Sequence, residues 1–167
     1  MARRFRGSSR HKVDAKGRVS IPAQFRRVLE SCDPEWTDGL RPQLVIFFGD
    51  HRRKFLECYT MKAIEEVDEK IESLPRGSKA RRRLEHMFSG QTLPTEVDPD
   101  GRLVLPQKLR ERIGLDDEAF FIGSGDTFKI WNPDIYEAEE QADTEAWLEE
   151  MPDDFDLLSL LDNPEAV

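Results

Sequence analysis

The stretch Asp14–Pro22 reads DAKGRVSIP, and 84 residues later Asp98–Pro106 reads DPDGRLVLP. Laying Val13–Leu29 over Val97–Ile113 extends the match. Val13/Val97, Asp14/Asp98, Gly17/Gly101, Arg18/Arg102, Pro22/Pro106 and Arg26/Arg110 are identical, and Val19/Leu103, Ile21/Leu105, Phe25/Leu109 and Leu29/Ile113 agree in apolar character. A repeat constrains a fold more than composition does, because two like units too small to bury their own apolar faces must pair. In each copy Asp-x-x-Gly predicts a turn: the carboxylate can accept backbone amides ahead of it, and Gly can adopt positive φ. Alternation through Val19 and Ile21 then predicts a short strand. Pro22 and Pro106 end those strands and suit the first position of a helix. The helix buries Phe25, Val28 and Leu29, leaving Arg26 and Arg27 off the apolar face.

A strand pair follows each short helix: LVIFF at Leu44–Phe48 with Phe55–Tyr59, and AFFIG at Ala119–Gly123 with Phe128–Trp131. Gly-Asp punctuates both, as in hairpins. The copies differ in what is inserted. Thr60–Leu74 spaces Met61, Ile64, Val67, Ile71 and Leu74 as a helix, Ser78–Phe88 predicts a second with a basic side, and Asn132-Pro133 opens another reaching toward Trp147. The expected division is 5–59 for the first half, 60–90 for a helical insert, 91–136 for the second half and 137–167 for an acidic tail. The expected fold is α+β and β-dominated, a tandem pseudo-repeat closing into a barrel-like core with flanking helices.

The net charge of −9 argues at first against a nucleic-acid partner, but its distribution reverses that. Ile130–Val167 holds 13 acidic residues and no Lys or Arg, leaving 25 basic against 21 acidic residues before it. Met1–Glu30 alone carries 9 basic and 2 acidic residues. A basic head and an acidic tail point to a polyanion-binding end or to a solvated surface with an unstructured tail. Pairing of the copies brings Arg18 and Arg102 to matched positions, and the planar fork of Arg suits phosphate and guanine. Lys16, Arg26 and Arg27 are expected to surround the first turn with phosphate-positioning charge, with His11 and Lys12 in its flank. Catalytic constellations are missing: no Ser-His-Asp arrangement, no phosphate loop, no metal spacing among His11, His51, His86, Cys32 and Cys58. No enzyme activity, cofactor, metal or small-molecule substrate is expected. The sequence has no apolar run of the ~20 residues that a membrane span needs, and MARRFRGSSRHK, basic but without an apolar stretch behind it, is not expected to act as a secretory signal.

Phe5-Arg6-Gly7, DAKGRVSIPAQFR, ARRRLEHMFSG, DPDGRLVLPQKLRERIGL and GSGDTFKIWNPDIYE together resemble the MraZ family, over about Phe5–Glu137. Members of that family carry two AbrB-like swapped-hairpin halves. The resemblance implies a bacterial transcriptional regulator, cytoplasmic and nucleoid-associated. It also implies binding to repeated double-stranded DNA sites upstream of the division and cell-wall gene cluster, as a ring-shaped homo-oligomer. Family DNA contacts fall on the D-x-x-G-R turn, which carries over to Lys16, Arg18 and Arg102, with Asp14, Gly17, Asp98 and Gly101 shaping the turns. Asp100 stands where the first copy has Lys16, so the second turn is either a weaker DNA surface or a subunit contact.

Plainer roles stand beside these. Arg18 and Arg102 also suit a structural part, each locking its turn through Asp14 or Asp98. Arg81, Arg82 and Arg83 fit a solvated face or a subunit contact better than a second DNA patch. The tail has three readings: unstructured and solubilising, an acidic helix packing through Ile135, Tyr136, Ala142 and Trp147, or a segment DDFDLLSLLD that docks on a partner or, as a DNA mimic, on the protein's own basic head. The alternative function is accordingly an oligomeric, protein-binding scaffold with an acidic partner-docking tail.

Overall fold

A computed structural model describes residues 3–166, leaving the last tail position, Val167, outside the described residues. The chain forms two compact units, Met1–Pro133 and Asp134–Val167. In the first, β1 (Ser8–Lys12) leads through the Asp14 turn into β2 (Arg18–Ser20) and α1 (Ala23–Ser31), followed by the hairpin β3 (Gln43–Phe47) and β4 (Phe55–Thr60). The insert is α2 (Met61–Glu72) and α3 (Lys79–Glu85), which runs on as a π turn over His86–Gly90. The second copy repeats the order: β5 (Thr92–Glu96), β6 (Arg102–Val104), α4 (Gln107–Arg112), and the hairpin β7 (Glu118–Ser124) and β8 (Thr127–Trp131). Pro22 and Pro106 sit one residue ahead of their helices, as N-caps without a side-chain acceptor, and not inside the first turn as the sequence suggested.

Six strands form one antiparallel sheet in the order β1-β7-β8-β4-β3-β5. Exchanging each strand for its counterpart in the other copy reproduces that order, so the sheet has a pseudo-two-fold centre between β8 and β4. Each leading strand crosses to the other copy: β1 pairs with β7, Ser8 opposite Ile122, and β5 pairs with β3, Gln43 opposite Glu96. Pro94 lies in β5, an edge strand, where a missing N–H is tolerated.

The sheet does not close, which corrects the expected barrel. β1 and β5 are its two edges, and β2 and β6 form a separate two-stranded ribbon. The strands that could bridge the edges are three residues each, are ended by Pro22 and Pro106, and pair with one another instead.

One core serves both copies. Val19, Phe25 and Leu29 of the first share a cluster with Leu103, Leu109 and Ile113 of the second and with Leu44, Ile46, Phe121, Phe128 and Ile130 of the sheet. Phe5 completes it, its ring edge-on to Phe25 at 5.2 Å and to Phe128 at 5.0 Å. At roughly 1.5–3 kcal/mol for each fully buried Val, Leu, Ile or Phe, this shared core holds the two arginine turns in place. On the other sheet face Phe88 of the π turn stacks on Phe47 at 4.4 Å.

The second unit is helical. α5 (Pro133–Tyr136) leads into it, and a π turn at Glu137–Gln141 and α6 (Ala142–Glu149) run in sequence, followed by a 3-10 turn at Leu157–Leu161. Trp147 packs edge-on against Phe155 at 5.9 Å. A helix thus replaces the unstructured reading of the tail, although Ala142 is exposed and not part of a packing face. No helix among the described residues is long and apolar enough to cross a membrane.

Candidate nucleic-acid interface

The two D-x-x-G-R turns are built alike, atom for atom. Asp14 Oδ1 accepts the amides of Lys16 (3.0 Å) and Arg18 (2.9 Å). Asp98 Oδ1 accepts those of Asp100 and Arg102, both at 2.9 Å. The Gly17 amide donates to the Asp14 carbonyl at 2.9 Å, and the Gly101 amide to the Asp98 carbonyl at 3.0 Å. Gly17 and Gly101 take φ of 84° and 75°, values open to glycine because it lacks Cβ. The turn chemistry expected of Asp14, Gly17, Asp98 and Gly101 is therefore present in both copies.

The ribbon that follows sets the direction of the arginines. β2 and β6 pair antiparallel, Arg18 opposite Val104 and Ser20 opposite Arg102, with Val19 opposite Leu103 between them. Val19 and Leu103 are buried. Strand alternation then puts Arg18, Ser20, Arg102 and Val104 on the outer face, where Val104 is 46% exposed. Arg18 and Arg102 are diagonal neighbours on that face, roughly 7–8 Å apart.

Both arginines also hold their turns. Arg18 Nε donates to Asp14 Oδ2 at 2.6 Å. Arg102 Nε donates to Asp98 Oδ2 and its terminal amine to Asp100 Oδ2, each at 3.2 Å. The structural role and an outward-facing role are thus compatible for Arg18, whose terminal amines make no hydrogen bond among the described residues, whereas Arg102 is engaged at both ends. The Arg18 amide, with its guanidinium, holds the Asp14 carboxyl below its ordinary range. At Asp98 partial burial opposes the shift, but the amide and guanidinium of Arg102 prevail and lower it too.

Each turn is braced by an arginine from the other copy's helix. Arg110 Nε donates to the Leu105 carbonyl at 2.9 Å, and Leu105 in turn donates its amide to the Gly17 carbonyl at 2.8 Å. A Cβ on Gly17 would collide with the Leu105 oxygen and approach Arg110 Nε to 3.0 Å. The counterpart is Arg26, whose terminal amine lies 2.5 Å from where a Cβ on Gly101 would stand. Arg26 therefore stands at the second turn, not at the first where the sequence put it, because the antiparallel ribbon brings the start of each helix to the opposite turn. Arg110 is the residue the sequence reading missed there, although its identity with Arg26 across the repeat was the signal.

The remaining candidates divide by strand face. Lys12 is exposed, whereas His11 is half-buried on the opposite side of β1. The His11 ring stands edge-on to Phe121 at 5.4 Å, its Nε2 is 2.8 Å from Ser9 Oγ, and burial lowers its pKa. Half-buried against Phe121, it stands apart from the exposed cations of the flank. Arg27 on α1 and Lys16 in the first turn are exposed, and neither side chain has a partner among the described residues. Arg81, by contrast, caps α2 through the carbonyls of Glu72 (3.2 Å) and Leu74 (3.0 Å). Among the described residues no group of His, Cys, Asp and Glu is arranged to hold a metal ion.

Comparison with known proteins agrees with the two-copy build. The family model described as "MraZ protein, putative antitoxin-like" matches twice, over residues 4–86 and 87–156. The chain is 67% identical to "Transcriptional regulator MraZ" of Ruegeria pomeroyi, over 97% of both chains. The protein of that name from Cereibacter sphaeroides is 45% identical over 97% of this chain and 98% of its own. That from Coxiella burnetii is 36% identical over 92% and 93%. With residues 4–156 matched by two copies of one family model, and relatives of that name aligned over 92–97% of its length, the chain belongs to the MraZ family.

Proposed function

We propose that the chain is a sequence-specific double-stranded DNA-binding transcriptional regulator that uses the outer face of the β2/β6 ribbon. The observation that carries this is the register of the ribbon, which turns Arg18 and Arg102 outward together on a rigid frame. A two-stranded ribbon fits the major groove of B-DNA, about 12 Å wide, where Arg can bond guanine bidentately. Lys16, Arg27 and Lys12 supply charge for phosphate, which positions the protein without reading sequence. Arg18 is the base reader, its Nε tied to Asp14 so that the guanidinium is aimed before DNA arrives. Arg102, tied to both Asp98 and Asp100, contributes less.

The exchange of leading strands between copies supports assignment of both halves to the AbrB-like swapped-hairpin type. The names of the relatives support transcriptional control, and the family resemblance suggests the division and cell-wall gene cluster as the target, in the cytoplasm and at the nucleoid. One ribbon offers few contacts, so affinity for repeated promoter sites comes from several copies in a ring-shaped homo-oligomer, each engaging one repeat.

The test is fluorescence anisotropy with a duplex from the gene's own upstream region and a scrambled duplex, for wild type and Arg18→Ala across a salt series. Wild type prefers its own duplex, and the variant loses that preference. Equal, weak binding of both duplexes by both proteins sinks the base-reading role and moves the protein-binding scaffold to the front.

A further inference from the structure

α3 carries a surface that the DNA reading leaves unused. A cleft of about 380 Å³ is lined by Lys79, Arg82, Arg83, His86 and Met87. Arg81 is committed to the end of α2 and to Glu85. Lys79, Arg82 and Arg83 form no ion pair among the described residues, so the cleft presents three unneutralised cations around the half-buried Met87. Its complement in chemistry is an acidic segment with apolar side chains.

The chain carries such a segment. Leu157, Leu158 and Leu161 are exposed at 53%, 68% and 78% on the 3-10 turn, the most exposed group of large apolar side chains among the described residues. Asp153, Asp154, Asp156 and Asp162 flank them. Asp156 caps the turn, accepting the Leu158 amide at 3.0 Å, and its carbonyl accepts the Ser159 hydroxyl at 2.6 Å. The leucines are therefore displayed on a preformed turn, which lowers the ordering cost of docking.

We infer that the Asp153–Asp162 segment of one copy docks in the α3 cleft of a second copy, its leucines on Met87 and its aspartates against Lys79, Arg82 and Arg83. A phosphate backbone in the cleft would leave both the leucines and Met87 uncovered. Each chain owns one cleft and one segment, so the contact is head-to-tail, which generates closed rings or open chains of subunits according to the rotation.

To test this, p-benzoylphenylalanine replaces Leu158 in the full chain, co-expressed with a full-length copy bearing a different tag, and the assembly is irradiated. Cross-links carry both tags and map to residues 79–90. They fall by about tenfold or more in 1 M salt, where the screening length shrinks to about 3 Å, and equally in Arg82→Glu/Arg83→Glu. Asp153→Lys/Asp154→Lys on the segment restores them against that variant. Arg82 and Arg83 are exposed and carry no fold contact, and circular dichroism of the variant verifies this. Cross-links confined to single chains, or mapping outside α3 and its π turn, overturn the inference. So does a loss of duplex affinity in Arg82→Glu/Arg83→Glu with cross-linking unchanged, which would make the cleft a phosphate seat.

Discussion

The two turns share a backbone and differ in charge. Asp14 and Asp98 accept equivalent amides at nearly equal distances, and both glycines take the same region of φ. Yet in the first turn Arg18 pairs with Asp14 alone and Lys16 is exposed, whereas in the second Arg102 pairs with both Asp98 and Asp100. The repeat has kept the residues that make a turn and let the electrostatics of the two turns drift apart. Scaffold and recognition therefore lie in different residues of one five-residue motif: Asp and Gly fix the path, and the position before Gly decides what the path presents. The bracing differs as well, since Gly17 abuts a carbonyl and Gly101 abuts the end of a flexible side chain.

That last difference gives the largest expected effect. Gly17→Ala forces Cβ into the Leu105 carbonyl at positive φ and should cost about 3 kcal/mol, a fall in Tm of about 6–12 °C for a chain of this size. Gly101→Ala needs only Arg26 to swing aside and should cost about 1 kcal/mol. Equal losses in a thermal melt would mean that Arg26 is as rigid as the carbonyl. Next, Arg18→Ala should cut the preference for the specific duplex by about 10- to 100-fold, the worth of one bidentate base contact, while Arg102→Ala changes it severalfold at most. Matching losses would make the ribbon a symmetric reader despite Asp100.

Asp100→Lys gives the second turn the charge of the first. It should tighten binding to any duplex and steepen the log–log salt slope by about 1–2, as phosphate contacts do; an unchanged slope would place the second turn away from DNA. The smallest effect is acid sensitivity. Both turn carboxyls titrate below their ordinary value of 3.8, so their contribution to stability is complete at neutral pH and is lost as pH falls below about 3.8. Urea midpoints measured from pH 7 to pH 3 should fall less steeply in Asp14→Asn and Asp98→Asn than in wild type.

Local chemistry made the turns legible in the sequence, since Asp and Gly act within four residues. The apolar face of Phe25, Val28 and Leu29 was legible from period, and both hairpins from apolar runs punctuated by Gly-Asp. What lay across the sheet was not. β1 has the same pattern whether it pairs with its own copy's hairpin or with the other's, so the strand exchange left no local mark. For the same reason helical spacing showed that Arg26 avoids the core but not that it would reach Gly101. His11 was read with its charged neighbours, but β1 turns successive side chains to opposite faces and sends it toward Phe121. The barrel was over-read from the repeat, because two-fold pairing of copies is satisfied by an open sheet with a separate ribbon.

The exchange of leading strands also has a consequence in time. Ser8 finds its partner at Ile122, and during synthesis at roughly 5–20 residues per second that partner is made about 6–23 s later. Until then β1 has no partner in the sheet, and β3 waits for β5 on one side in the same way. The ribbon needs Leu103 before Val19 is covered. The first half therefore cannot complete itself on the ribosome, and the outward-facing arginines of the ribbon come together only when nearly the whole chain has emerged. A nascent or truncated first half has the basic residues of the regulator without the frame that aims them.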